Sequence, residues 1–228
     1  MDIVRLRQIT KTYDLGKTTV NALRGIDLTI KQGGFVTIAG PSGSGKSTLL
    51  NLIGCLDLPT SGDIWIGETV IKGLNEKQLN HLRLRTIGFI FQSFNLIPVL
   101  NVYENIELPL LIIKEITAAE RKERVNHFIN AVKLTGQTHQ KPAELSGGQR
   151  QRVAVARALV TKAQIVLADE PTANLDSKTG MEIIELMQEI CRTEATTFIF
   201  STHDPKVMQR ADQIFRLEDG LLKSGESS

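Results

Sequence analysis

The sequence predicts an α/β domain with a mainly parallel sheet covered on both sides. Three observations predict it. Short apolar runs at residues 35–39, 165–168 and 198–200 read as buried strands. Helical stretches at 48–56, 149–160 and about 178–192 alternate with them, the order that places parallel strands in one sheet. Between about 94 and 145 the alternation breaks, and a helix-rich stretch follows with no Pro/Gly-rich linker. That stretch is expected to be an inserted helical subdomain of a single domain spanning residues 1–223.

The elements follow in order. Residues 3–9 show weak apolar alternation. Ile26, Leu28 and Ile30 show it clearly, as a strand with one buried face does. Residues 64–66 and 87–91 read as further strands. Thr117 and Glu120 have the spacing of a capping box, in which hydroxyl and carboxylate each satisfy an end amide. Val125, Phe128, Ile129 and Val132 then fall on one helical face, and Lys141-Pro142 ends that region. Residues 214–217 are expected to form an edge strand, and residues 224–228 a polar tail.

Composition narrows the function. Of 228 residues, 41% are hydrophobic and 23% charged, the balance of an ordinary globular protein. The formal net charge is +2, from 27 basic and 25 acidic side chains, which offers no electrostatic case for nucleic acid. Cys55 and Cys191 lie far apart in no CxxC pattern, so two small buried hydrophobes are expected rather than a disulfide. Charges at residues 1–7 speak against a signal peptide. The apolar run at 108–113 is far shorter than the ~20 residues of a spanning helix. A soluble chain is expected, with any membrane role supplied by a partner.

Gly40-Pro41-Ser42-Gly43-Ser44-Gly45-Lys46-Ser47 fits GxxxxGK[ST], the Walker A pattern. Glycines let the backbone curl so that its N–H groups face phosphate oxygens, and the helix that follows adds its dipole. Lys46 supplies charge to the β- and γ-phosphates, and Ser47 offers a hydroxyl to Mg²⁺. Gly40, Ser42, Gly43, Ser44, Gly45, Lys46, Ser47 and Thr48 are therefore the expected nucleotide contacts. An apolar strand that ends in Asp169-Glu170 supplies the second half, a Walker B pattern. Asp169 is suited to hold Mg²⁺ through its water shell, and Glu170 to take a proton from the attacking water.

Leu145-Ser146-Gly147-Gly148-Gln149 matches the LSGGQ motif letter for letter, and residues 150–159 continue the same pattern. The sequence thereby resembles the ABC (ATP-binding cassette) ATPases over essentially its whole length. The resemblance implies a P-loop NTPase core with an N-terminal antiparallel β region. It also implies a head-to-tail homodimer, each ATP lying between Walker A of one chain and Ser146, Gly147, Gly148 and Gln149 of the other. It makes Tyr13 the aromatic that stacks on adenine. Gln92 becomes the glutamine that touches Mg²⁺ and water and faces a membrane partner. Asp176, in Asn174-Leu175-Asp176, belongs to the loop that communicates across the dimer, and His203 becomes the γ-phosphate switch. ATP and Mg²⁺ are the implied ligands, with Ser47, Gln92 and Asp169 around the metal and Lys46, Gln92, Glu170 and His203 around the reaction.

Residues 53–62, 88–98 and 101–110 resemble in particular the lipoprotein-release, macrolide-efflux and cell-division group of LolD, MacB and FtsE. That resemblance implies a separate four-helix permease with a large extracytoplasmic domain, and a peripheral place on the cytoplasmic face of the inner membrane. A soluble ABC ATPase with no membrane partner and an FtsE-like regulator of division stay open. The gap between the Walker A and LSGGQ motifs is too short, and too poor in heptads, for the long coiled coil of DNA-repair relatives.

Overall fold

The computed structural model describes residues 1–14, 16 and 18–223; the polar tail at 224–228 lies outside them. The chain forms two compact units, Met1–Arg83 with Thr197–Ser228, and Leu84–Thr196.

The first unit opens with β1 (Asp2–Asp14) and β2 (Thr19–Lys31), followed by β3 (Phe35–Ala39) and α1 (Lys46–Ile53). Then come β4 (Ser61–Ile66), β5 (Thr69–Val70) and α2 (Glu76–Thr86), which carries the chain past the boundary. The second unit holds β6 (Ile87–Ile90), α3 (Val102–Glu107), α4 (Ala118–Ala131), α5 (Gly147–Leu159), β7 (Ile165–Asp169) and α6 (Ser177–Thr193). The chain returns to the first unit with β8 (Thr197–Thr202), α7 (Pro205–Met208), β9 (Gln213–Glu218) and β10 (Leu221–Lys223).

In the first unit, β2-β1-β4-β5 form an antiparallel sheet. Ile26, Leu28 and Ile30 face inward, because alternate side chains of a strand share a face, and an irregularity in the pairing between Arg24 and Ile26 brings Leu23 inward as well. A second sheet pairs β3 in parallel with both β8 and β9. β3 and β8 are buried along their whole length, as central parallel strands are. Phe35 packs at 4.7 Å from Phe200 and 5.8 Å from Phe198, centroid to centroid. The apolar face of α1, formed by Leu49, Leu50, Leu52 and Ile53, is buried. Residues 214–217 are not an edge: β10 pairs antiparallel with β9 and takes that place. Three residues after a tight turn at Asp219 and Gly220 are enough for this, but too few to show alternation.

In the second unit, β6 pairs in parallel with β7. α5 is buried at Val153, Ala154, Val155, Ala156, Ala158 and Leu159, nearly all round, which marks it as a central helix. Gly88 allows β6 to approach it; a Cβ there would meet the Ala158 carbonyl at 2.1 Å. The face of Val125, Phe128, Ile129 and Val132 is buried as its spacing predicts. The Thr117 box is only half made. Thr117 Oγ1 accepts from Glu120 N at 3.2 Å, but the Glu120 carboxylate pairs with Arg124 one turn on. The sequence reading also passes over α2. It buries only Leu79, so it lacks an apolar stripe. Its start is nevertheless marked: Asn75 Oδ1 accepts from Gln78 N, and Gln78 Oε1 from Asn75 N.

Candidate functional site

The turn from β3 into α1 is a phosphate cradle by construction. The N-cap of α1 is Gly45, left-handed at φ 102°, and no side chain caps the helix. First-turn amides that another helix gives to a cap are therefore left for a ligand. Lys46 is 6% exposed, and its Nζ donates to the carbonyls of Gly40 (2.9 Å) and Pro41 (2.8 Å), which brings a cation over the loop. Ser44 Oγ is buried with no hydrogen-bond partner. The glycines are required sterically. A Cβ on Gly40 would lie 2.1 Å from the Leu217 carbonyl, and one on Gly45 would lie 2.6 Å from the Ala22 carbonyl. An uncapped helix start, an ammonium and an orphaned hydroxyl fit a polyphosphate. Ser47 is exposed at the first turn of α1, a hard oxygen donor of the kind Mg²⁺ takes.

Two further predicted residues lie in this unit. His203 follows β8, is exposed, and lines a cleft of about 350 Å³ with Gly40 and Pro41, so the fold brings the histidine to the phosphate loop. Tyr13 ends β1 half-buried, and its hydroxyl donates to Asp57 Oδ2 at 2.9 Å. Burial and the Asp57 acceptor raise its pKa, while the hydroxyl of Thr48 on α1 acts the other way.

The second unit holds the other predicted residues. β7 is apolar and buried until Asp169, where it surfaces. Glu170 follows at φ 44°, a left-handed conformation that a non-glycine residue adopts only when its surroundings impose it. Gln92 is exposed, and its carbonyl accepts from Asn174 Nδ2 at 2.8 Å. Ser146 caps α5: its hydroxyl accepts from Gln149 N (3.2 Å), and Gln149 Oε1 accepts from Ser146 N (2.9 Å). Gly148 is packed so closely that a Cβ would lie 2.5 Å from Thr179 Cγ2. Asp176 caps α6 by accepting from Lys178 N and Thr179 N. Hydrogen bonds from Thr179 hold its carboxyl below the usual carboxylate range.

With this geometry in view, comparison with known proteins is decisive. Residues 23–173 match the ABC transporter family model. The chain belongs to the ABC transporter family. The cassette is 44% identical over 227 residues to an uncharacterised ABC transporter ATP-binding protein, MJ0796, of Methanocaldococcus jannaschii, covering 98% of this chain and 97% of that one. It is 45% identical over 222 residues to the macrolide export ATP-binding/permease protein MacB of Brucella melitensis, covering 97% of this chain and 34% of MacB. Its fold matches a dimeric post-hydrolysis structure of the MJ0796 cassette bound to ADP and Pi, with a TM-score of 0.89 and 98% of each chain covered.

The sequence reading missed how the cassette holds these residues. Arg157 donates to the carbonyls of Phe94 (2.8 Å) and Asn95 (2.5 Å), two successive left-handed residues just after Gln92. Arg150 stacks its guanidinium over Phe94 at 5.3 Å. Both arginines sit on α5, so the loop after Gln92 is clamped to the helix that LSGGQ begins. Gln151, fully buried, donates to the Pro171 carbonyl at 2.7 Å, beside Glu170. These arginines stand in the run after LSGGQ, but spacing alone gave no sign of their partners.

Proposed function

We propose that this ATPase drives a separate membrane permease through an ATP-dependent, head-to-tail homodimer, in a lipoprotein-release or MacB-like export or mechanotransmission complex. The observation that carries the nucleotide chemistry is the uncapped start of α1 with Lys46 folded over it. Kinship to MacB, named as both ATP-binding protein and permease, supports the permease partner. The dimeric structure of the MJ0796 cassette supports the homodimer. No helix among the described residues is long and apolar enough to cross a membrane, so contact with the bilayer is assigned to the permease. The cassette then sits peripherally on the cytoplasmic face.

In this reading Tyr13 stacks on adenine, and residues 40–48 hold the phosphates. Ser47, Gln92 and Asp169 are the residues to hold Mg²⁺, which when bound neutralises phosphate charge. Glu170 takes a proton as the water oxygen bonds to the γ-phosphorus; the bond to the leaving oxygen breaks, and ADP and phosphate result. Lys46 and His203 stabilise the charge that develops on the γ-phosphoryl oxygens. Ser146, Gly147, Gly148, Gln149 and Asp176 meet the ATP of the second copy. The capping bonds of Ser146 and Gln149 are exchanged for phosphate when the dimer closes.

The test uses Glu170→Gln. Turnover should fall on the order of 10²–10⁴-fold while ATP still binds. Loaded with ATP and extracted in mild detergent, this variant should retain a four-helix membrane protein with a large outer domain. A six-helix permease would overturn the branch. Recovery of soluble proteins or nucleic acid alone would overturn the membrane partner.

A further inference from the structure

Tyr13 does not stand alone on β1. Lys11 and Tyr13 are two residues apart, so both point from one face of the strand. The Lys11 ammonium lies 4.8 Å from the centroid of the Tyr13 ring, in cation–π range. Asp57, in the turn after α1, joins the two. Its Oδ2 accepts the Tyr13 hydroxyl at 2.9 Å, and its Oδ1 accepts Lys11 Nζ at 2.6 Å and Leu58 N at 2.7 Å. Lys11 Nζ also donates to the Leu58 carbonyl at 2.8 Å. Burial works against the Asp57 carboxylate, yet the bonds from Lys11 and Tyr13 outweigh it and hold the group below its ordinary pKa.

A free tyrosine ring turns about two side-chain bonds, and a stacking platform must stop that rotation. Here the ring is fixed at its hydroxyl by Asp57 and on one face by Lys11. We infer that Asp57, with Lys11, is the positioning residue that pre-organises Tyr13 as the purine-stacking platform of the nucleotide site. This inference rests on the reading of Tyr13 as the adenine contact.

The test compares ATP with inorganic tripolyphosphate, which carries phosphates but no base, on the full chain. Affinity is read by displacement of a fluorescent ATP analogue and KM from ATPase assays. Asp57→Ala should weaken ATP about five-fold, the effect of losing the one charge-assisted hydrogen bond that reaches the ring, and raise KM likewise. Turnover at saturating ATP and affinity for tripolyphosphate should stay within about two-fold of the parent. Asp57→Asn keeps an oxygen for the phenol and should recover part of the loss. Tyr13→Phe should weaken ATP similarly, and adding Asp57→Ala to it should cost little more, because the two act through one bond. If Asp57→Ala weakens tripolyphosphate as much as ATP, or adds its full effect to Tyr13→Phe, the positioning role is overturned. Tyr13→Ala separates the two levels. If it leaves ATP affinity intact, the adenine reading itself fails. If it weakens ATP at least ten-fold while Asp57→Ala does nothing, only the inference fails.

Discussion

Two helices of this chain begin in glycine-rich turns, and they begin differently. α1 starts at left-handed Gly45 with no side chain on its amides. α5 starts at Ser146, which shares a complete capping box with Gln149. The first turn is open to an anion at once. The second is partly capped by its own residues, through the bonds between Ser146 and Gln149. In the proposed function the same chemical feature, a helix dipole behind a flexible turn, serves two tasks: the first start holds the nucleotide of its own chain, and the second meets the nucleotide of a second copy. This difference suits a nucleotide held first by its own chain and then by a second copy.

Substitution at each helix start tests this difference. The largest effect is expected at the open one. Lys46→Ala removes the buried ammonium and should reduce productive ATP binding and turnover on the order of 100-fold or more, read by nucleotide titration and phosphate release. Unchanged kinetics would mean that the cradle is not the ATP site. Next comes Gly148→Ala, whose Cβ must push Thr179 aside. It should leave ATP affinity of the single subunit within about two-fold, yet lower turnover about ten-fold or more and abolish the ATP-dependent dimer on gel filtration. Equal loss of binding by the monomer would erase the distinction between the two starts. Ser146→Ala should act more gently. Losing an N-cap costs about 1 kcal/mol of stability, seen as a fall of a few degrees in Tm, with ATP affinity of the monomer intact.

The smallest effect concerns the thiols, one in each unit. Cys55 and Cys191 are buried thiols outside any disulfide, and burial pushes the Cys55 thiol up to about 11. Neither should react quickly with a thiol reagent at neutral pH in the native protein, and both should react in denaturant. Rapid labelling of one alone would show that its unit opens locally more readily than the other.

Much of this was legible along the chain. The strand at Phe35–Ala39 is found at the bounds its apolar run predicts, and α5 and α6 begin within two residues of expectation. Ile26, Leu28 and Ile30 turn inward as their alternation requires. Each of these signals is local. α2 and β10 escaped because neither has an apolar period to read. Glu120 shows a finer failure: its spacing allowed a bond to the helix start or to Arg124, and only the packed helix favoured the second.

The sequence by itself determined the cassette and its phosphate loop, and it set the order of the residues proposed for binding and hydrolysis. Glycine placement, apolar period and the letters of a motif act over a few residues, so they can be read without a fold. Only the tertiary structure decided how those residues are held. Tyr13 meets Asp57 across 44 residues, Arg157 meets Phe94 across 63, and Gly40 and Gly45 must be glycine because of carbonyls at Leu217 and Ala22. Such contacts have no spacing rule, because the chain between the partners is free to take any path until the sheets close.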